Sequence, residues 1–243
     1  MCTYDAENDW WVSRHVKKKI KSTVTCVAFH PKNGQILAAG GTDFKCRVFS
    51  TYSADVDGSE VADVNSTPFA SPVEFGEVYC EFGALGWINA CTWSPEGNVL
   101  CYAGHDSSIH FVDVTAGPNP AVQSIRFSEM PLSCVIFASN SLLLGGGHDF
   151  NPVVYKIEGG EWSIHCKLDE KKSTTATNNS TVGAARALFQ NKTRTGQDAK
   201  AEGDTLWTQH ENVITCLTKG KSGSVATSSL DGKIVLWDAT YSK

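Results

Sequence analysis

Four aspartates, Asp43, Asp106, Asp149 and Asp231, follow short apolar runs that end in small residues, and two of them are preceded by a histidine, His105 and His148. Acids held on loops can act as general acids or bases, and paired histidines can ligate a metal. Their spacing argues for a different role. Cys91 to Asp106, Cys134 to Asp149 and Cys216 to Asp231 are each 15 positions apart, and Cys26 to Asp43 is 17, so the acid recurs once per repeated unit. Acids at equivalent turns of separate units do not converge on one substrate. An Asp in a tight turn accepts backbone N–H bonds instead, so the four are expected as structural turn residues and the two histidines with them. No catalytic, cofactor-binding or metal residue is expected, and the chain reads as a non-enzyme.

The other chemistry-bearing residues support that view. The nine cysteines are odd in number and contain no C-x-x-C pair, so they read as free thiols. Cys26, Cys91, Cys134 and Cys216 are expected at equivalent core positions, acting as small apolar residues. Gly145-Gly146-Gly147 lacks the Lys-Ser/Thr that a phosphate loop requires. A net charge of -5 does not suit a nucleic-acid surface. The first residues lack a basic and then apolar leader, and no run reaches membrane-spanning length, so a cytoplasmic protein with no membrane insertion is expected.

The elements that would position these residues are strands. The four Cys anchors are separated by 65, 43 and 82 residues, and the middle spacing is that of a four-stranded propeller blade, about 40–45 residues. The longer ones are a blade plus an insertion, at Ser53–Pro72 and at about Lys171–Leu206. First strands are read at Val24–Phe29, Ile88–Trp93 and Val213–Leu217, and second strands at Ile36–Ala39, Val99–Ala103, Leu142–Leu144 and Val225–Thr227. Third strands follow the Asp at Cys46–Phe49, Ile109–Val112, Val153–Tyr155 and Ile234–Asp238. Outer strands are read at Val78–Phe82, Val122–Phe127 and Trp162–Leu168. Turns at Pro31-Lys32-Asn33-Gly34, Ser94–Asn98 and Lys221-Ser222-Gly223 join first to second strands, with Gly or Asn accepting positive φ.

The whole of 1–243 is therefore expected to be a single all-β domain, a partial β-propeller of about four and a half blades. Cys2-Thr3-Tyr4 and Trp10–Ser13 read as the outer half of a blade, and no outer strand follows Trp237-Asp238. The expectation is that these residues are the carboxy-terminal two-thirds of a longer propeller.

Several blocks carry a family resemblance: Asn8-Asp9-Trp10-Trp11-Val12-Ser13, Asp43-Phe44-Lys45-Cys46-Arg47-Val48-Phe49, Gly146-Gly147-His148-Asp149, Arg186-Ala187-Leu188-Phe189-Gln190-Asn191, and Leu230-Asp231-Gly232 before Trp237-Asp238. Together they resemble the WD-repeat subunit of the actin-related protein 2/3 complex, a seven-bladed family. The resemblance implies a non-catalytic scaffold in the cytoplasm and actin cytoskeleton, supporting nucleation of branched actin filaments. Its implied partners are the other subunits of the complex, the actin filament and nucleation-promoting factors. It also implies that the insertion at 171–206 contributes to activator and actin contact.

The insertion carries one apolar island, Ala184–Phe189, long enough for a short helix. Ala185, Arg186, Leu188 and Phe189 are its candidate partner-binding residues, with Leu188 and Phe189 as anchors. The alternative is that those two side chains fold back onto the blade edge. The basic run Lys17-Lys18-Lys19-Ile20-Lys21 reads as a solvated loop, with an acidic partner surface or anionic lipid as the other reading. Without the resemblance, a generic WD-repeat interaction adaptor would account for the same blades.

Overall fold

Short β-prone runs bounded by Gly, Pro and Asn favour strands, and the computed structural model contains 17 of them, with one short helix at Ala54–Asp57, among the residues it describes, 1–16, 19–57, 69, 73–116, 120–169 and 207–238. A hairpin comes first, β1 (Cys2–Asp5) with β2 (Trp10–Ser13). The first full blade is β3 (Val24–Phe29), β4 (Ile36–Gly41), β5 (Lys45–Ser50) and β6 (Val78–Gly83). The second is β7 (Ile88–Trp93), β8 (Val99–Gly104), β9 (Ser108–Asp113) and β10 (Val122–Arg126). The third is β11 (Leu132–Ser139), β12 (Leu142–Gly147), β13 (Val153–Glu158) and β14 (Glu161–Lys167). The last sheet has three described strands, β15 (Ile214–Lys219), β16 (Val225–Ser229) and β17 (Ile234–Trp237). All neighbours are antiparallel and consecutive, the meander of propeller blades.

Each first strand opens with a bulge at the same place. Pairing jumps from Val24 to Cys26, Ile88 to Ala90, Leu132 to Cys134 and Ile214 to Cys216, so Thr25, Asn89, Ser133 and Thr215 are the extra residues. A bulge re-aims a side chain, and all four positions hold a polar one. Thr25 Oγ1 donates to Ile88 O, Asn89 Nδ2 donates to Leu132 O at 2.9 Å, and Ser133 Oγ donates to Ile214 O. Every acceptor is the first residue of the next blade. The same first residue packs its side chain into the blade before it: a Cβ on Gly40 would lie 2.5 Å from Ile88 Cγ2, and one on Gly146 would lie 2.7 Å from Ile214 Cγ2. Ile88 and Ile214 are 0% exposed, whereas Val24, the corresponding residue of the first full blade, is 43% exposed.

This register corrects the Cys alignment. The positions that pair across to Gly40, Ala103, Gly146 and Ser228 are Cys26, Ala90, Cys134 and Cys216, and Cys91 lies one residue further, opposite Tyr102. The bulge adds a residue that a pattern of apolar types does not reveal. Nor are the four thiols equally enclosed: Cys91 is buried, Cys26 and Cys134 are half-buried, and Cys216 is exposed because no described blade covers its side. Burial pushes the Cys134 thiol up to about 11 and Cys80 to about 12, which keeps both protonated and unreactive at neutral pH. Two smaller corrections concern the turns and strand ends. Gly97 and Gly223 have φ of 82° and 80° as expected, but neither Asn33 nor Gly34 has a positive φ. Asn33 instead accepts the Gln35 amide on its side chain at 2.9 Å. The last first strand begins at Ile214 rather than Val213.

Aromatic stacking completes the interface between the second and third blades. Phe111 lies flat on Trp162 at 4.3 Å between centroids, and the Gln123 side chain bonds both the amide and the carbonyl of Trp162, at 2.8 and 2.7 Å.

The Gly146 seat can be tested by sign. Gly to Ala at an unstrained, open position stabilises by roughly 0.4–1 kcal/mol through the unfolded state. Overpacking a filled seat costs roughly 1–3 kcal/mol. Gly146→Ala is therefore expected to lower the urea midpoint of unfolding, with Gly34→Ala, which meets nothing within 4 Å, as the control that does not.

Candidate functional site

The four turn aspartates sit at one end of the sheets, each beside the loop that enters its own blade. Asp106 accepts the Leu85 amide at 3.3 Å, Asp149 the Met130 amide at 3.4 Å, and Asp231 the Glu211 amide at 2.7 Å. Asp231 also accepts the Lys233 amide at 2.8 Å. The residue after each acid turns the chain with a positive φ: Phe44 at 67°, Ser107 at 58°, Phe150 at 63° and Gly232 at 80°. Three of these are not glycine, a conformation that costs energy and that the Asp bonds help to hold.

Around each turn acid the blades build different polar strings. In the first full blade, Arg47 bonds Asp43 at 2.7 Å and Glu81 at 2.6 Å, and Lys45 pairs with the same Glu81. Desolvation works against the charge on Asp43, but the Arg47 guanidinium outweighs it and holds the carboxyl below its usual range. In the second, Ser108 donates to Asp106 at 2.6 Å and lies 2.8 Å from His110 Nε2, while His110 Nδ1 lies 2.7 Å from Ser124 Oγ. In the last, Trp237 Nε1 donates to Thr227 Oγ1 at 2.9 Å, His210 Nε2 lies 2.6 Å from that oxygen, and His210 Nδ1 lies 3.4 Å from Asp231 Oδ2.

The last string has the order of a hydrolase triad, Asp–His–hydroxyl, and was not anticipated from sequence. Its proton arrangement is not that of a nucleophile. Trp237 occupies a lone pair of the Thr227 oxygen, and His210 is 0% exposed, so no substrate carbonyl can reach the hydroxyl. In the second blade the single Ser108 proton points to Asp106, so Ser108 accepts from His110 rather than yielding a proton to it. Burial lowers the His110 pKa more than Asp106 raises it, which keeps that imidazole neutral. Both strings cement a turn. His210 escaped notice because its partners lie 17 to 27 positions away; a His 21 residues before Asp231, in one unit with Thr227 and Trp237, is the signal that would have found it.

His105 and His148 approach each other, with ring centroids 6.2 Å apart, and Trp87 stacks on His105 at 5.7 Å. His148 Nδ1 lies 3.2 Å from Pro131 O, and Asn89 Nδ2 lies 3.3 Å from His105 Nδ1. Among the described residues no three His, Cys, Asp or Glu side chains gather where a metal could sit. No described helix is long and apolar enough to cross a membrane. The same end of the sheets exposes large apolar side chains: Phe44, Leu85, Trp87, Met130 and Leu230. Ala185, Arg186, Leu188 and Phe189 lie outside the described residues, as do the insertion at 171–206 and Lys17-Lys18 of the basic run; Lys19 pairs with Glu77 at 2.9 Å.

The Asp231 string makes a pH prediction. Burial opposes its charge, but the amides of Glu211 and Lys233 and the facing His210 prevail and lower its pKa from 3.8 to about 2. A folded pKa below the unfolded one adds stability that is complete above pH ~4 and is lost as pH falls toward 2. Asp231→Asn should lower the urea midpoint at pH 6, and the gap from the unmodified chain should close between pH 4 and 2. A gap independent of pH would mean that the charge is not what these amides hold.

Comparison with known proteins agrees with this geometry. The WD domain, G-beta repeat family matches residues 13–50, 77–113 and 203–238. The chain is 40% identical to "Actin-related protein 2/3 complex subunit 1B" of Arabidopsis thaliana over 98% of its own length and 64% of the relative's. It is 37% identical to subunit 1A-A of Xenopus laevis over 98% and 64%, and 34% identical to subunit 1 of Schizosaccharomyces pombe over 98% and 66%. The chain thus spans just under two thirds of the length of these relatives. Along nearly every described strand the chain is thus similar to actin-related protein 2/3 complex subunit 1, and its sheets agree with the WD repeats that the family model matches.

Proposed function

We propose that this chain is a non-catalytic scaffold of the actin-related protein 2/3 complex, holding neighbouring subunits and supporting nucleation of branched actin filaments in the cytoplasmic actin cytoskeleton. The observation that carries the reading is the 34–40% identity along 98% of the chain to subunit 1 of that complex from plant, frog and fission yeast. Two physical features support it. The Asp–His strings are closed to substrate and pack the turns. The loop end of the sheets carries exposed apolar side chains, led by Leu85 at 74% and Trp87 at 51%, a surface suited to protein contact.

Contact with the actin filament and with nucleation-promoting factors is assigned to the insertion, through Ala185, Arg186, Leu188 and Phe189. Its roots are well held. Asn151 bonds both the carbonyl and the amide of Asp169, at 2.9 and 3.0 Å, and the Asp169 carboxylate accepts the Gln209 amide. The described residues on either side of 170–206, Asp169 and Gln209, are therefore tied to each other and to Asn151.

A tagged copy of the chain, recovered from cell lysate, is expected to bring down the actin-related proteins and their companion subunits. Leu188→Ala combined with Phe189→Ala should leave that recovery intact and reduce activator-stimulated nucleation by reconstituted complex several-fold. Unchanged nucleation would remove the insertion from the mechanism, and a different stable partner set would favour a generic WD-repeat adaptor.

A further inference from the structure

At the loop end, Trp87 stands on a stack that fixes it from behind. Its ring lies on His105 with centroids 5.7 Å apart and 26° between the planes, and that imidazole meets His148 edge to face at 6.2 Å. The His105 amide also donates to Trp87 O at 2.7 Å. Asn89, the bulge residue of β7, holds the middle of the stack. Its side-chain amide donates to Leu132 O at 2.9 Å and to His105 Nδ1 at 3.3 Å; an amide nitrogen only donates, so this Nδ1 is the acceptor and the bond sets how the imidazole lies. His148 is tied in turn through Nδ1 and its own backbone amide to Pro131 O, each at 3.2 Å. One face of Trp87 is covered and the other is open, since the residue is 51% exposed. A large ring left half in water forgoes burial energy, and a rigid surface tryptophan is the commonest kind of anchor in a protein contact.

The surroundings of the open face are apolar and acidic. Exposed apolar side chains stand at both ends of the stack, Leu85 two residues before Trp87 and Met130 beside the Pro131 that carries His148. Two half-buried carboxylates, Asp106 and Asp149, directly follow the two histidines and accept the amides of Leu85 and Met130, so negative charge lies under both flanks. The cations of the adjoining loops are taken: Lys45 pairs with Glu81, and Lys167 with Glu129 at 3.0 Å. Arg126 ends β10, three strands out from β7, about 14 Å away by strand spacing and beyond the ~8 Å screening length of physiological salt. Charge at the stack therefore favours a cation and opposes an anion.

We infer that the open face of Trp87 is a docking point for an arginine side chain of a partner protein, with apolar residues of the same segment against Leu85 and Met130. The inference rests on the reading of the loop end as a protein-contact surface and names the chemistry which that surface takes. A guanidinium is planar, weakly hydrated and stacks on an indole face, whereas the ammonium of lysine holds its water more tightly. A free cation brings nothing to cover Leu85 and Met130, so a segment of chain is the occupant that uses the whole patch.

The test titrates the full chain with a short fluorescent peptide bearing one arginine between leucines, and with the same peptide carrying lysine, or citrulline as the uncharged isostere, in its place. The arginine peptide is expected to bind about three- to tenfold tighter than the citrulline peptide, with lysine between them, and the advantage should shrink in about 0.5 M salt. Trp87→Ala should remove that advantage, and Trp87→Phe, which keeps a weaker ring, should remove part of it; because Trp87 is exposed, neither should move the urea midpoint. Equal affinity for arginine and citrulline, an arginine peptide indifferent to Trp87→Ala, or N-acetylarginine amide binding as tightly as the peptide would overturn the inference. Failure of the peptide while the unmodified chain still recovers the companion subunits from lysate removes the arginine site alone. Peptide binding by a chain that recovers none of them removes the scaffold reading and leaves the site standing.

Discussion

The fold depends on one repeated contact: a polar side chain displaced by a bulge reaches out of its own blade and takes the first carbonyl of the next. Thr25, Asn89 and Ser133 make this bond to Ile88, Leu132 and Ile214. Without the bulge, strict alternation would leave these side chains within their own sheet, and the carbonyl at the head of each following blade would be buried without a donor. The bond sets spacing; the glycine seat beside it sets depth. Gly40 and Gly146 admit the Ile88 and Ile214 side chains to distances that any Cβ would forbid, so adjacent sheets close onto each other rather than splay. Directional bond and steric seat act on one residue, which fixes the angle between blades more tightly than apolar packing alone can.

Given that joint, the outer parts of the blades are free to differ. The turn acid is constant, and its amide bond to the entering loop recurs in the last three blades, but what surrounds it changes from an Arg–Glu cluster to a Ser–His–Ser string, to an open cavity, to a His–Thr–Trp string. In a repeat architecture each unit contributes its own stability and the interfaces add theirs. A blade without such a string, the third, is therefore tolerated as long as both of its interfaces hold.

Much of this was legible in the sequence. The period, nearly all of the described strands and the small residues before each acid follow from composition and turn chemistry, because β-branched runs and Gly, Pro or Asn turns act locally. Register did not follow. Whether Ala90 or Cys91 matches Cys26 depends on a bulge, and both candidates are small and apolar, so residue type carries no information on the choice. The Asp231 turn was visible from Asp-Gly, yet its partners His210, Thr227 and Trp237 were not, since they come together only when three elements of the blade close on one another. Asn33-Gly34 failed for a local reason: an Asn side chain that caps the Gln35 amide makes the turn without needing a positive φ.

The same contrast separates the buried polar residues from the surface that remains available for contact. A His between an acid and a hydroxyl becomes a base only if the hydroxyl proton has somewhere to go and an electrophile can arrive. Thr227 is capped by Trp237, Ser108 already donates its hydrogen bond to Asp106, and both sit behind the loops that their acids pin down. The energy of these strings is spent on holding the loop end still. That rigidity is what a binding surface gains: Leu85 and Met130 are exposed, and their amides are the groups tied to Asp106 and Asp149. Because the backbone of each is fixed from beneath, a partner that covers these side chains has little loop entropy left to remove, and the turn acids thereby act on binding without touching the partner.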